Sequence, residues 1–348
     1  MDLKMSENNN EPRDGASRRD EPPAAGTTRK EKEPTETDNR RMSFGYRLMY
    51  FMIRSSIMGF GRTAAFLPEK MTYWLCVRFA LFLRRALPKF RLLAEGHLEI
   101  AFGAEKSKEE RDEILRQTYI NYGKSFAEFL MLPHKSREWI EKKVDFNDPE
   151  WRIRTQFEKG KGVVSLGGHF GSWELVGARI GIYKYPLVVV VKAQRDAFMS
   201  RFIMETRNKW GNEYIFRARG VKEECYHQLE MGKILGLMAD QNATRGGVFI
   251  NFFGKQACTA VGPAEIAMKK GLPVIPGFPA RNPDNSLTLH VLAPIEMRDT
   301  GDYEADLKFN LQKCSDAIEA FAREHPTEYF WWHRRWKKRP AEETVARQ

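Results

Sequence analysis

Apolar positions divide this chain into three stretches of different character. Residues 1 to about 42 show no apolar periodicity; charges of both signs, Asn8-Asn9-Asn10, Pro22-Pro23 and Gly26-Thr27-Thr28 predict a disordered polar tail over 1–42. From Phe44 the pattern changes to apolar runs, Leu48–Ile53, Met71–Val77 and Phe79–Leu83, broken by Arg54, Arg62, Glu69-Lys70 and Arg78 and closed by Arg84-Arg85. None reaches the roughly 18 uncharged residues that a spanning helix needs. Aromatic and Met residues beside arginines predict, over 43–95, N-terminal membrane-associating helices lying in a bilayer interface; the competing reading is helices packed on the core. The third stretch alternates. Two helices are expected in 105–143 around Pro133, with Ile114, Leu115, Tyr119 and Phe126 at helical intervals in the first. Strands follow at 162–167, 186–192, 213–217, 233–239, 247–253, 273–279 and 286–293, and helices at 172–182, 196–210, 220–230, 262–270 and 303–324. That alternation predicts an α/β fold, a mixed, largely parallel sheet flanked by helices, as one domain over 96–340 with a short tail at 341–348.

Composition narrows this further. At 348 residues and 42% hydrophobic, the chain can bury a full core. Its formal charge of +11 favours acidic partners, and nucleic acid, an anionic membrane and an acidic carrier protein all qualify. Cys76, Cys225, Cys258 and Cys314 are scattered without C-x-x-C or His/Cys spacing, so they read as reduced, apolar-type residues of a cytosolic domain. No metal and no cofactor is implied. No apolar segment follows a basic start, as a secretory signal would require.

The chemistry concentrates in Gly167-Gly168-His169-Phe170-Gly171-Ser172-Trp173-Glu174. Gly162–Leu166 reads as a buried strand, Ser172 as an N-cap, and Trp173 onward as a helix. His169 then sits at the carboxyl end of a strand and Glu174 in a first helical turn, where α/β proteins place catalytic groups. A carboxylate on one imidazole nitrogen fixes the tautomer and leaves the other as a base. With no paired nucleophile of its own, the His169–Glu174 dyad suits direct attack by a substrate alcohol on an activated acyl group. The resulting tetrahedral intermediate needs oxyanion donors. Candidates are backbone N–H groups around Gly167, Gly168 and Gly171, and Arg207 at the end of a helical stretch, ahead of Arg195 and Arg201. Asp240 ends an apolar strand and is expected either to pair Arg207 or to serve as turn chemistry with Gln241. Arg245 with Gly246-Gly247 suggests a phosphate-tolerant loop. Gly262-Pro263 reads as a helix start that could also shape an acyl groove. The basic, Trp-bearing tail His333–Arg339 suits nucleic acid, lipid phosphate or an acidic carrier by composition alone.

The motif resembles the His-x4-Asp/Glu signature of glycerolipid-type acyltransferases, in the Glu form of the lipid A late (secondary) acyltransferase family. The resemblance extends along the chain: His97–Gly103 followed by Ser107–Arg111, with His97 where that family usually has Asn; Gly236–Gln241; Phe252-Phe253-Gly254, Ala257–Thr259 and Gly262-Pro263; and Tyr329–Pro340. It implies a glycerolipid acyltransferase-like fold and an O-acyltransferase moving a fatty acyl chain from acyl carrier protein to a hydroxyl of a lipid A precursor. The implied location is the cytoplasmic face of the inner membrane. It also implies roles for His169 and Glu174 in catalysis, for Arg207 in the site, and for the basic tail toward phosphate-bearing lipid. Nucleic acid drops out as a partner. The alternative is an acyl-CoA-dependent phospholipid or phosphoinositide-glycolipid acyltransferase.

Overall fold

The computed structural model describes residues 66–148, 152–183, 185–192, 197–217, 220–244 and 246–340, with Ser55, Gly59, Gly61, Thr63 and Ala64 as isolated positions. The tails expected at 1–42 and 341–348, most of 43–65, and Arg195 and Arg245 lie outside the described residues.

Among the described residues the helical region before the sheet begins with α1 (Glu69–Ala86), α2 (Pro88–Phe102) and α3 (Lys108–Met131). The Ser107–Arg111 segment works as a capping box. Ser107 Oγ accepts the Glu110 N–H at 3.2 Å, and Glu110 Oε2 accepts the Ser107 N–H at 2.7 Å. A 3₁₀ turn carrying Pro133 separates α3 from α4 (Arg137–Lys143), the two-helix break expected from that proline. The remaining elements are β1 (Val144–Asn147), α5 (Arg152–Glu158), β2 (Val163–Gly167), α6 (Trp173–Ile182), β3 (Leu187–Val191), α7 (Ala197–Lys209), β4 (Glu213–Phe216), α8 (Val221–Glu230) and β5 (Ile234–Met238). They continue with β6 (Gly247–Phe252), β7 (Lys255–Ala260), α9 (Gly262–Lys270), β8 (Val274–Arg281), β9 (Leu287–Val291) and α10 (Tyr303–Glu324). Every strand expected from the pattern is present. Strands β1 and β7 and helix α5 are additional.

Seven strands form one sheet in the order β1-β9-β8-β2-β5-β3-β4, parallel at every pairing except β8–β9. The β6–β7 hairpin stands apart as a two-stranded ribbon. β2 and β5 are central neighbours with Val163 opposite Ile234 and Gly167 opposite Met238. Carried two residues past the strands, this register sets His169 level with Asp240, 71 positions later.

Strand alternation sends residues to two differently filled faces. Val164, Leu166, Leu235 and Leu237 enter a large core with α2, α9 and α10. The opposite face carries Ser165, Gly167, Gly236 and Gly277, short or absent side chains in the middle of a sheet, and none of the four is fully buried. They leave a cavity of about 500 Å³ beneath α6 and α7.

The carboxyl-terminal segment runs across the end of the sheet that carries His169. Tyr329 bridges to Phe170, and Trp331 is 1% exposed. Fully burying side chains such as Phe170 and Trp331 contributes about 1.5–3 kcal/mol each or more. His97 joins this packing by hydrogen-bonding Trp331 O through Nδ1 at 2.7 Å and meeting the Trp336 ring edge-on. At the other extreme, α1 and α2 expose Trp74, Phe79, Phe82 and Phe90, and Leu87 between them is exposed as well. No helix among the described residues is long and apolar enough to cross a membrane.

Candidate active site

The turn after β2 is built around its glycines. A Cβ on Gly168 would sit 2.6 Å from the Phe170 ring, which is completely buried. Gly171 adopts φ +45°, and a Cβ there would lie 2.9 Å from Glu328 Oε2. The turn can therefore tuck Phe170 into the core while His169 faces the cavity. Ser172 occupies the N-cap position, as expected, but its side chain makes no capping bond and is buried.

His169 is held at every polar atom but one. Its Nδ1 lies 2.8 Å from Asp240 Oδ1, and its backbone N–H donates to Asp240 Oδ2 at 2.9 Å. Its carbonyl accepts from the Phe330 N–H at 3.0 Å and from the Tyr122 hydroxyl at 2.8 Å. Nε2 is left for the cavity, with the Gln241 side-chain nitrogen 3.3 Å away. Trp173 meets the imidazole edge-on at 5.2 Å. Burial opposes the imidazolium, but the charge and hydrogen bond of Asp240, with a smaller contribution from Glu174, outweigh it and raise the His169 pKa. For Asp240, burial pushes upward, and the His169 charge with its two hydrogen bonds wins, holding the carboxyl below its ordinary value.

This corrects the expected pairing. Glu174 does not reach His169. Its carboxylate is forked by Arg207, Nε to Oε2 at 2.9 Å and Nη2 to Oε1 at 2.6 Å, and it accepts from Trp173 Nε1 at 3.2 Å. Asp240, expected either on Arg207 or as turn chemistry, is the partner of His169 instead. The reason is directional: Glu174 rides the first turn of α6 toward the end of α7, whereas the parallel β2–β5 register delivers Asp240 beside His169. The expected oxyanion role of Gly171 also meets an obstacle, because its N–H donates to Glu328 O at 2.9 Å. Gly168 offers its carbonyl to the Phe170 N–H at 2.9 Å. Arg207 stays in the cavity wall with two of its donors on Glu174. Arg201 lies on α7, exposed and outside the cavity lining.

The basic tail is likewise turned inward. Arg335 is 2% exposed and donates to Gln241 O at 3.2 Å, Cys258 O at 3.0 Å and Thr259 Oγ1 at 2.6 Å. His333 Nε2 accepts the Asn242 N–H at 2.9 Å, and burial pushes its pKa down to about 4, so it stays neutral and able to accept. The Tyr329 hydroxyl caps Asp240 O at 3.3 Å. Together these residues lock the Asp240–Asn242 loop against the His169 turn, while Arg334, Lys337 and Lys338 are exposed. Tyr122 and Glu328 carry no sequence signal of this role, and Tyr329 stands in the sequence only as the head of the carboxyl-terminal motif. Behind the turn lies a buried Arg281–Glu128 pair at 2.6 Å, and the Glu328 carboxyl, desolvated beside it, is raised to about 7.

The cavity is lined by His169, Glu174 and Gln241, by Ser165, Gly236, Val189 and Ile275, and by Phe146, Ile153, Tyr185 and Leu289. Such an apolar slot beside one oriented base can take an alkyl chain and present its head to Nε2. Among the described residues no three His, Cys, Asp or Glu side chains gather as metal ligands, and all four cysteines are buried and unpaired.

A family model described as bacterial lipid A biosynthesis acyltransferase matches residues 42–338. A phosphatidylinositol mannoside acyltransferase of Mycolicibacterium smegmatis is 24% identical over 168 residues, covering 47% of this chain and 55% of that protein, so the chain spans about half of its length. The lipid A biosynthesis palmitoleoyltransferase of Escherichia coli is 24% identical over 281 residues, 80% of this chain and 89% of that protein. A lipid A biosynthesis acyltransferase of Haemophilus influenzae is 26% identical over 260 residues, 73% and 79%.

Proposed function

The chain belongs to the bacterial lipid A biosynthesis acyltransferase family and is an acyltransferase, and from that premise we propose that it moves a fatty acyl chain from acyl carrier protein to a hydroxyl of a lipid A precursor. The observation that carries this reading is one imidazole, clamped at Nδ1 by Asp240, whose Nε2 opens on an apolar cavity of about 500 Å³. His169 is the general base: its Nε2 takes the proton of the acceptor hydroxyl as that oxygen attacks the thioester carbonyl carbon. Collapse of the tetrahedral intermediate breaks the carbon–sulfur bond, and the imidazolium returns the proton to the leaving thiolate. Asp240 stabilises the imidazolium, and the Glu174–Arg207 fork holds the wall facing it.

Acidic substrates suit a chain of formal charge +11. The exposed Trp74, Phe79, Phe82 and Phe90, among Lys70, Arg78, Arg85 and Lys89, fit α1 and α2 lying in the headgroup layer of the inner membrane on its cytoplasmic face. The mycolicibacterial relative, a phosphatidylinositol mannoside acyltransferase, favours a second acceptor, a phosphoinositide glycolipid; the second reading pairs that acceptor with acyl-CoA as donor. Mass spectrometry of products from purified enzyme given each donor with each acceptor separates them. One acyl mass added to a lipid A precursor from acyl carrier protein is the expected result. Transfer confined to the phosphoinositide glycolipid would replace the first reading with the second.

The cavity also predicts a length limit. Gly236 lies opposite Ser165 and Val189, one layer or about 7 Å below the Gly167 level. A Cβ there would meet Leu187 Cδ1 at 3.3 Å and Val189 Cγ2 at 3.5 Å, tight but yielding. In Gly236→Val the longest usable acyl donors are expected to lose about tenfold or more in rate relative to the shortest, which stay near wild type. Uniform change across a donor series would show that the chain lies elsewhere.

A further inference from the structure

The tetrahedral intermediate places a negative oxygen one bond from the carbon under attack, and catalysis requires a fixed donor at that point. In the turn that carries the base, three of the backbone donors are already spent. The backbone N–H groups of His169, Phe170 and Gly171 are committed to Asp240 Oδ2, Gly168 O and Glu328 O, each at 2.9 Å. Arg207 spends its Nε and one Nη2 donor on Glu174.

One side-chain donor stands beside the base with nothing else to hold. The Gln241 side-chain nitrogen is 3.3 Å from His169 Nε2 and 3.4 Å from Nδ1, and makes no other hydrogen bond among the described residues. Its backbone is fixed on both sides, by Arg335 Nη1 donating to Gln241 O and by the Asn242 N–H donating to His333 Nε2. Gln241 also lines the cavity.

Resting on the acyl-transfer reading above, we propose that Gln241 is a catalytic residue whose side-chain amide donates to the thioester carbonyl oxygen as it becomes the oxyanion. In the resting site the amide lies against the imidazole. A hydroxyl bound at Nε2 displaces that contact and brings the attacked carbonyl within reach of the same N–H. As the new carbon–oxygen bond forms, the carbonyl electron pair moves onto its oxygen, the hydroxyl proton moves to His169, and Gln241 neutralises part of the charge until the thiolate leaves. The loop geometry makes sense of the carboxyl-terminal segment as well: Arg335 and His333 serve as its rigid backing and do not touch lipid phosphate.

The test is steady-state kinetics of wild type, Gln241→Leu and Gln241→Glu with an acyl thioester and a hydroxyl acceptor, with thermal unfolding of each as a fold control. Leucine is expected to lower kcat about 10²- to 10³-fold while KM for both substrates stays within about threefold, the signature of an interaction made only in the transition state. Glutamate, whose charge repels the oxyanion, is expected to be at least as slow near neutral pH. A leucine variant within about fivefold of wild-type kcat, or one that loses only KM, overturns the assignment of Gln241 alone. A wild-type enzyme that turns over no acyl thioester overturns the acyl-transfer reading and this one together.

Discussion

Replacing His169 by alanine is expected to reduce acyl transfer by at least about 10²- to 10⁴-fold, the usual worth of a positioned proton acceptor. The figure follows from how completely the site depends on one ring. Every other polar atom of His169 is engaged in holding it, and Nε2 is the single basic lone pair that the turn presents to the cavity mouth. The substitution has a second consequence. Asp240 is 3% exposed, and it is the charge and hydrogen bonds of His169 that keep its pKa low against burial. Without the imidazole the buried carboxyl is expected to take up a proton at higher pH than in the wild type, and the fold to lose stability in the range where Asp240 must stay ionised. His169→Gln, which can still offer an N–H to Asp240, separates the two effects: it should recover stability without recovering turnover. Activity within about tenfold of wild type in either variant, measured by product mass, would remove His169 from the chemistry.

Much of the scaffold that places this ring was legible in the chain, because the strands flanking it are apolar runs bounded by glycine and turn residues, and the helices between them keep a 3.6-residue period. The two strands that escaped notice lack those marks. β1 is only Val-Asp-Phe-Asn, and β7, Lys-Gln-Ala-Cys-Thr-Ala, holds a single β-branched residue. The site was legible as a set of residues and illegible as a set of pairs. His169, Glu174, Arg207 and Asp240 all stand in it, yet their partnership follows from strand order. That β2 lies against β5 and not β3 is a long-range choice that no local period encodes. Nearness in sequence therefore favoured Glu174, five residues away, over Asp240, 71 residues away. The tail misled in a different manner. Arg and His beside Trp suggest a phosphate site by composition, but Arg335 is buried among backbone carbonyls, and burial changes a cation's partner from ligand to loop.

The pairing is itself open to a decisive measurement, because Asp240 and Glu174 make opposite predictions. Asp240→Asn keeps the shape of the side chain and removes its charge. Asp240 now accepts from two groups at once, the His169 backbone N–H and the Nδ1–H. An asparagine has one oxygen for two such donors; if it keeps the backbone N–H, its NH₂ faces Nδ1 and drives the ring proton to Nε2, where it blocks the base. A loss of about 10³- to 10⁴-fold is expected, the order seen when a buried orienting carboxylate is lost from other His-centred triads. The pH dependence gives an independent sign. The base works when neutral, so rate falls as pH drops through the His169 pKa, and in the wild type that limb lies above the ordinary 6.5 because Asp240 outweighs burial. With the Asp240 charge gone, burial dominates the balance and the limb must move to lower pH. Glu174→Gln removes only the smaller contribution to His169 and loosens Arg207, so its loss in rate should be markedly less and its limb nearly unmoved. If the glutamine variant proved the slower of the two and shifted the acidic limb while the asparagine variant did not, the His-x4-Glu pair would be the working dyad, and the β2–β5 register would have delivered Asp240 for structure alone.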